Sequence, residues 1–406
     1  MTTSSRLFAW LALLLATTAT CAATDVERGK YLATLGDCAA CHTSRSGQPF
    51  AGGRVLPTPF GAIPAPNLTP DRDTGIGAWS ADDFYRAMHS GVGHDGRSLY
   101  PAFPFTSYTK ATRADVDAIF AYLRSLAPVK NVATPNTLRW PYRMRPLMAA
   151  WRTLYFDEGE YTPDPKRSAA WNRGAYLVEG IGHCNECHAR RNSFGAMVRE
   201  PFLAGGVVPV QNWYAPDLSM GANGGLAGWT EADVVALLKT GRSARGTAFG
   251  PMAEVVMRST QHLDDGDLAA MATYLKSLPD RDAPRRRESA ADARELAMRG
   301  AKVYTEQCAT CHAADGRGKG DAYPPLDGNG SVTEPTGINT IRIVLSGGFA
   351  PATTDNPRPY SMPPFSQKLS DDDAAAVVTY IRQAWSNKAA SVSPGDVRAY
   401  RSTPGS

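Results

Sequence analysis

Three copies of a Cys-x-x-Cys-His motif are the feature that most constrains this chain of 406 residues. The motifs begin at Cys38, Cys184 and Cys308, and together they use six of the seven cysteines. An Arg-Gly pair stands before each motif, and a helical pattern with acidic residues at its start follows late in each stretch. Features that recur in a fixed order along a chain indicate repeated structural units, so we predict three units of one kind.

The motif is typical of covalent haem attachment. Its two thiols can add to the two vinyl groups of one haem, and the histidine after the second cysteine then reaches the iron. A redox or disulfide cysteine pair and a zinc site are the alternatives. Neither explains a histidine at the same place three times, so we predict three covalently bound haem c groups. The attachment residues and proximal iron ligands are Cys38, Cys41 and His42; Cys184, Cys187 and His188; and Cys308, Cys311 and His312.

The flanking sequence predicts an all-α fold of three tandem domains. Apolar residues recur at helical spacing over 115–126, 267–278 and 371–385. Thr112, Asp264 and Ser370 precede these segments as predicted N-caps. The glycine of each Arg-Gly pair is small enough to let an aromatic residue of the late helix approach closely.

The repeats also set the domain limits. We place the domains at 25–130, 169–280 and 294–388, joined by linkers at 131–168 and 281–293. The first linker is long and rich in Pro, Arg and aromatic residues. The tail, 389–406, is small and polar, and we expect it to be loosely ordered.

The N-terminus has the features of a secretory signal over residues 1–23. Arg6 is followed by a ten-residue apolar run and then by small residues, which suits cleavage after Ala23. A lipid-modified Cys21 and an uncleaved anchor are the alternatives. The sequence therefore predicts an exported protein.

The iron of a haem can have a second protein ligand, on the side opposite the histidine. A haem with such a ligand is a closed electron carrier, whereas a haem without one can bind a small molecule. Two methionines lie between a haem motif and the last helix of a repeat, which is the place for a distal ligand. Met252 stands in a Gly-Pro-Met segment of the second repeat, and Met362 stands in a Met-Pro-Pro segment of the third. We predict that both bind iron.

The first repeat departs from this pattern. Trp79 and Gly91 match Trp229 and Gly241, and counting on from them places Phe103 where the second repeat has its methionine. Phenylalanine cannot bind iron. We expect a substitute ligand rather than an open site, and the sequence does not choose among the nearest candidates, which are Met88, His89 and His94.

Over nearly its whole mature length the chain resembles the triheme cytochrome c subunits of bacterial membrane-associated dehydrogenases. The resemblance rests on residues 65–80, 175–188, 249–256 and 360–385. It implies three tandem cytochrome c-type domains, with the cysteines, histidines and two methionines above in their haem-binding roles. The family usually has methionine where this chain has Phe103, so the resemblance leaves the distal ligand of haem 1 open.

The resemblance further implies an electron-transfer subunit rather than an enzyme, with no catalytic residues of its own. A catalytic dehydrogenase subunit would supply electrons, and ubiquinone or a terminal oxidase would accept them at the periplasmic face of the cytoplasmic membrane. The segment SLYPAFPF looks more like cytochromes paired with molybdopterin enzymes acting on aldehydes or N-heteroaromatics than like those paired with pyrroloquinoline quinone alcohol or flavin sugar dehydrogenases. A net charge of +4 gives no reason to expect nucleic acid as a partner.

Two questions stay open at the level of sequence. The segment 139–156, which mixes basic and large apolar residues, fits packing between the first two domains, docking on a catalytic subunit or contact with a membrane. The second question is whether an open haem 1 makes the chain an autonomous haem enzyme acting on peroxide or another small ligand.

Overall fold

The computed structural model describes residues 24–198, 200–221, 225–226, 228–280, 292–320 and 322–401, with only the backbone at 292–294. The predicted signal segment with Cys21, residues 281–291 of the second linker and the last five residues lie outside the described residues. The chain divides into two compact units. Unit 1 runs to Thr162 and includes Glu179–His183, and unit 2 contains Pro163–Val178 and everything from Cys184 onward.

The first repeat is a set of helices with one short hairpin. The helices are α1 (24–35), α2 (Cys38–His42), α3 (Ala81–Ser90), α4 (Phe105–Tyr108) and α5 (Arg113–Ser125), and the hairpin pairs β1 (Val55–Thr58) with β2 (Gly61–Pro64). Thr112 caps α5 by accepting the backbone N–H of Asp115, as predicted.

The first linker, which is part of unit 1 as far as Thr162, packs on the first repeat and forms one helix, α6 (Arg145–Tyr155). Before α6, the backbone N–H of Thr137 donates to Ala62, and that of Arg139 donates to Phe60, so the linker runs along the β1–β2 hairpin. After α6, the backbone N–H of Tyr161 donates to the carbonyl of Lys110.

The second repeat has the same helical plan with two hairpins. Its helices are α7 (Ala169–Glu179), α8 (Asn185–His188), α9 (Glu231–Thr240), α10 (Pro251–Arg258) and α11 (Asp265–Leu275), with a 3₁₀ turn at Thr260–His262. Its hairpins pair β3 (Gly206–Val208) with β4 (Trp213–Ala215) and β5 (Arg242–Ser243) with β6 (Gly246–Thr247). Asp264 caps α11, as predicted.

The third repeat is built around a buried aliphatic core. Its helices are α12 (Asp292–Gln307), α13 (Ala309–His312), α14 (Ile338–Ser346) and α15 (Asp371–Gln383), and β7 (Gly348–Phe349) pairs with β8 (Ser361–Met362). Ser370 caps α15, as predicted. Arg382 is 1% exposed and donates to the carbonyls of Val332, Glu334 and Ala390, so it ties two loops to α15. The described fold is mostly helical, and its four hairpins were not predicted.

One helix crossing recurs in all three repeats. The predicted glycines, Gly29, Gly174 and Gly300, each lie so close to the late helix that an added Cβ would overlap a backbone carbonyl oxygen. Gly174 and Gly300 also sit against the Cβ atoms of Tyr274 and Tyr380, as expected. Such close backbone approach is available to glycine because it has no side chain.

The arginine before each of these glycines forms an ion pair that the sequence pattern did not predict. Each guanidinium reaches an aspartate in the first turn of the late helix, with Nε to Oδ1 distances of 2.7, 2.7 and 2.8 Å. A carboxylate is favourable at a helix N-terminus, and the arginine adds a second partner for it. The three pairs are Arg28–Asp115, Arg173–Asp267 and Arg299–Asp373.

The prediction of a loosely ordered tail is wrong for residues 389–401. The tail forms α16 (Pro394–Arg401), in which Val397 is fully buried against the third repeat. Arg398 and Arg401 pair with Asp371 at the start of α15. The small polar composition concealed two buried valines, at 392 and 397, and these ion pairs.

Within the described part of the chain, no helix combines the length and the apolar character that crossing a bilayer requires.

The glycine contact predicts a sharp steric effect. Gly174→Ala should lower the free energy of unfolding by about 1–3 kcal/mol, because the new methyl group meets the α11 backbone, which cannot move aside. Gly266→Ala is the matched control in α11, where an added Cβ has room. Denaturant unfolding of the haem-loaded protein measures both, and equal stability of the two variants would refute the contact.

Candidate functional site

The three motif histidines are held in the same way. The Nδ1 atom of each ring lies within hydrogen-bond distance of a proline carbonyl: His42 to Pro66 at 2.8 Å, His188 to Pro216 at 2.7 Å and His312 to Pro324 at 3.1 Å. A carbonyl only accepts, so Nδ1 carries the proton and Nε2 keeps its lone pair. That tautomer is the one a histidine needs to bind iron through Nε2.

Burial keeps these rings neutral. The pKa of His42, His188 and His312 is lowered below the usual value, because burial disfavours the charged imidazolium. A neutral imidazole is the form that binds a metal. The donor set therefore fits a proximal haem ligand in all three repeats.

The short hairpins bring the prolines into place. In the first two repeats β2 and β4 lead directly into Ala65-Pro66 and Ala215-Pro216. In the third repeat a single bridge between Lys319 and Tyr323 precedes Pro324. Loops of different length thus place a proline carbonyl beside Nδ1 of the histidine in each repeat.

A basic side chain also donates a hydrogen bond to a backbone carbonyl within each motif. Arg54 Nη1 donates to the carbonyl of Ala40 at 2.5 Å, Arg191 Nη2 to that of Glu186 at 2.9 Å, and Lys319 Nζ to that of Thr310 at 2.5 Å. The accepting residue stands immediately before the second cysteine every time. These cations satisfy a carbonyl of the short motif helix and fix the turn between the two thiols.

The cysteines do not have the character of a redox pair. Among the described residues the six motif cysteines form no disulfide. Burial raises the pKa of Cys38 and Cys184 to about 12 and that of Cys308 to about 11. Redox-active Cys-x-x-Cys motifs instead lower the pKa of a thiol to make a reactive thiolate. The raised pKa values of these thiols favour the haem interpretation over the redox alternative.

The zinc alternative also lacks support. A structural zinc site needs about four Cys, His or carboxylate ligands around one point. Across the part of the chain that the structure describes, no group of three or more such side chains could hold a metal ion.

The two predicted distal methionines lie in segments that pack against each other. Met252 is in the first turn of α10, and Met362 in β8 pairs across the hairpin with Gly348. An added Cβ at Gly348 would be 3.1 Å from the ring of Phe249, three residues before Met252. Both methionines are half-buried.

The helices that precede Phe103 and Met252 in their repeats begin and end alike, although Met252 lies within α10 and Phe103 lies in a loop. Helices α3 and α9 begin with the same capping box, at Ser80 and Thr230, and end at a left-handed glycine, Gly91 and Gly241. Phe103 follows in the loop before α4, where its ring lies 5.4 Å from that of Tyr108.

The three candidates for a substitute ligand have different surroundings within unit 1. Met88 is 4% exposed on the inward face of α3. His94 Nδ1 is 2.9 Å from Asp83, and its ring stacks on Trp79. His89 stacks on Tyr85, and its buried Nδ1 has no hydrogen-bond partner among the described residues.

A side chain of the third repeat braces the second haem motif. Asn339 is 7% exposed. Its side-chain oxygen accepts the backbone N–H of Tyr214 at 2.9 Å, and its side-chain nitrogen donates to the carbonyl of Tyr214 at 2.8 Å. Tyr214 stands two residues before Pro216, the carbonyl partner of His188. No sequence pattern indicates this brace, because nothing local pairs residues 125 positions apart.

Comparison with known proteins supports the same interpretation. A family profile described as cytochrome c matches residues 26–127 and 297–385. The chain is 38% identical to the gluconate 2-dehydrogenase cytochrome c subunit of Pantoea cypripedii, covering 96% of this chain and 94% of that protein. It is also 38% identical to the cytochrome c subunit of the quinone alcohol dehydrogenase of Gluconobacter oxydans, covering 93% and 82%.

The chain belongs to the family of dehydrogenase cytochrome c subunits. Membership makes covalently bound haem c its cofactor and electron transport its field of activity. A further relative, a nicotinate dehydrogenase subunit from Pseudomonas putida, is 42% identical over 88% of this chain, which spans 30% of that longer protein.

The brace at Asn339 predicts a local effect in this cytochrome. Asn339→Leu should leave both backbone groups of Tyr214 without their partner, at a cost of about 1–3 kcal/mol. Hydrogen exchange should accelerate over 206–216. Asn131→Leu removes a comparable bond to Ala51 in unit 1 and should leave 206–216 unchanged. Unchanged exchange in the Asn339 variant would contradict the brace.

Proposed function

We propose that the chain carries three haem c groups in three tandem domains, at 25–130, 169–280 and 294–388. The cysteine pairs of the three motifs attach the haems, and His42, His188 and His312 are the proximal ligands. Met252 and Met362 are the distal ligands of the second and third haems. The three matching histidine–proline bonds are the observation that carries this proposal.

The residues of the chain hold and tune each group. A bound haem supplies an iron that takes up and releases one electron. The proline carbonyl orients the histidine and makes Nε2 a better donor. Met252 and Met362 would hold the iron of their haems through sulfur, a ligand that favours reduced iron and raises its reduction potential. These roles suit transfer of electrons rather than reaction with a substrate.

The partner in this proposal is a catalytic dehydrogenase subunit that passes electrons to the cytochrome. A molybdopterin enzyme acting on an aldehyde or an N-heteroaromatic compound is favoured, and the similarity to the nicotinate dehydrogenase subunit supports that class. A pyrroloquinoline quinone alcohol dehydrogenase or a flavin sugar dehydrogenase comes next, by similarity to the alcohol and gluconate dehydrogenase subunits.

The setting in this proposal is the periplasm, at the surface of the cytoplasmic membrane. The signal-like segment 1–23 supports export. Ubiquinone or a terminal oxidase would accept the electrons there, since an exported dehydrogenase must pass its electrons to a carrier in or at the membrane.

Phe103 supports a second candidate function. With phenylalanine at the methionine position, Met88 buried and His94 paired with Asp83, an open haem 1 would act on peroxide or another small ligand as an autonomous enzyme. Carbon monoxide would then bind one haem in three, and the isolated chain would turn over peroxide.

Ligand replacement tests the methionine assignments. Met362→Ala should convert one third of the ferric iron to a high-spin form and lower one reduction potential, because the sulfur ligand is lost. Met298→Ala, in the same repeat and at an exposed position, should change neither property. Phe103→Met should add a low-spin methionine-ligated haem. Electron paramagnetic resonance with redox titration measures all three, and an unaltered Met362→Ala spectrum would remove that ligand from the proposal.

Purification in mild detergent tests whether the chain is the electron-transfer subunit of a dehydrogenase complex. The chain, extracted from its own membranes in mild detergent, should bring with it a larger subunit that carries molybdopterin, pyrroloquinoline quinone or flavin. Mass spectrometry and cofactor analysis identify that subunit. A fully haem-loaded chain that purifies alone and turns over peroxide would favour the autonomous enzyme instead.

A further inference from the structure

The first linker carries an apolar surface that the first repeat does not cover. We define the linker patch as five side chains with exposed fractions of 72, 36, 44, 40 and 71%: Trp140, Tyr142, Met144, Leu147 and Leu154. Large apolar side chains this exposed, grouped within fifteen residues, mark a surface that meets something other than water.

Helix α6 presents one apolar face outward. Leu147, Ala150 and Leu154 recur at the spacing of one helix face and are exposed, and the remaining exposed positions of α6 are Pro146, Ala149 and Thr153. That exposed face contains no charged side chain. The arginines of α6, Arg145 and Arg152, are half-buried instead.

Residues of the first repeat hold the patch in place. Trp151 is 8% exposed and packs edge-on against Phe105. Arg145 donates to the carbonyl of Ser98 at 2.6 Å, and its guanidinium lies 4.5 Å from the centre of the Tyr100 ring. Tyr142 contacts the ring of Phe60 beside the β1–β2 hairpin. The exposed apolar side chains are therefore presented by a fixed scaffold.

The first part of the patch is flanked by positive charge. Between residues 130 and 156 the sequence has five basic residues and no Asp or Glu, while Asp157, Glu158 and Glu160 follow α6 and Glu158 pairs with Arg152. Arg139 and Arg143, which flank Trp140 and Tyr142, are exposed. Tryptophan and tyrosine favour the boundary between water and lipid, and a basic rim is attracted to anionic headgroups.

The size of the patch also favours lipid over a protein partner. An 11-residue helix is only about 16 Å long. A stable protein interface usually buries about 800 Å² on each side, which needs a broader surface. An amphipathic helix lying in the headgroup region needs only a few apolar side chains and a basic flank.

We propose that the linker patch is the surface on which this cytochrome rests against a bilayer that contains anionic phospholipids. Leu147, Ala150 and Leu154 reach the acyl boundary, while Arg139 and Arg143 meet the headgroups. This inference rests on the proposed function in one respect, since that function places the electron acceptor at the membrane.

Vesicle flotation tests the proposal with the haem-loaded chain that begins at residue 24. The protein should float with vesicles of phosphatidylcholine and phosphatidylglycerol, and should bind phosphatidylcholine alone much more weakly. Leu154→Ser should weaken binding roughly tenfold, because one leucine no longer leaves water. Met298→Ser, at a side chain 70% exposed in unit 2, is the matched control and should bind like the unchanged protein.

Two further variants test the contribution of charge to vesicle binding. Arg143→Gln should weaken binding to anionic vesicles and reduce its salt dependence, whereas Arg317→Gln in unit 2 should not. Equal binding by Leu154→Ser and the unchanged chain would overturn the proposal. Normal vesicle binding by Leu154→Ser with loss of the dehydrogenase partner would also overturn it, and would assign the patch to that partner.

The test separates this inference from the proposed function. Vesicle binding is measured on the isolated cytochrome and requires no dehydrogenase. Loss of vesicle binding in the patch variants, together with absence of any dehydrogenase in gentle purification, would uphold the membrane surface and refute the proposed function.

Discussion

The close crossing of the first and last helices in each repeat is the contact on which the rest of the structure depends. At Gly29, Gly174 and Gly300 the two backbones approach too closely for any side chain. The neighbouring arginine then pairs with the aspartate at the start of the late helix. Because the first helix leads into the Cys-x-x-Cys-His motif, this crossing also fixes where the motif begins.

The three haem motifs share one hydrogen bond, from the histidine to a proline carbonyl, although the connecting segments differ. The histidine and its proline partner are 24, 28 and 12 residues apart in the three repeats. The loops between them differ in length and in secondary structure, yet each ends with a carbonyl on Nδ1. The shared requirement is a neutral ring with Nε2 available, and the fold meets it three times.

Features that recur in all three repeats could be predicted from the sequence, whereas features that occur once could not. The motifs, the N-caps Thr112, Asp264 and Ser370, and the glycine crossings follow from local pattern, and the structure confirms the caps and crossings. The brace from Asn339 to Tyr214 depends on residues far apart in sequence, and no local rule indicates it. The tail shows the same limit, because Val397 fills a place in the core of the third repeat and composition averages over such single residues.

The central claim is that this cytochrome accepts electrons from a dehydrogenase partner. Rapid mixing of the purified complex with the substrate of that partner, with the haem absorbance followed in time, tests it most directly. We expect the haems to become reduced at least as fast as the complex turns over. Haems that stay oxidised during turnover, or that are reduced more slowly than substrate is consumed, would contradict the claim.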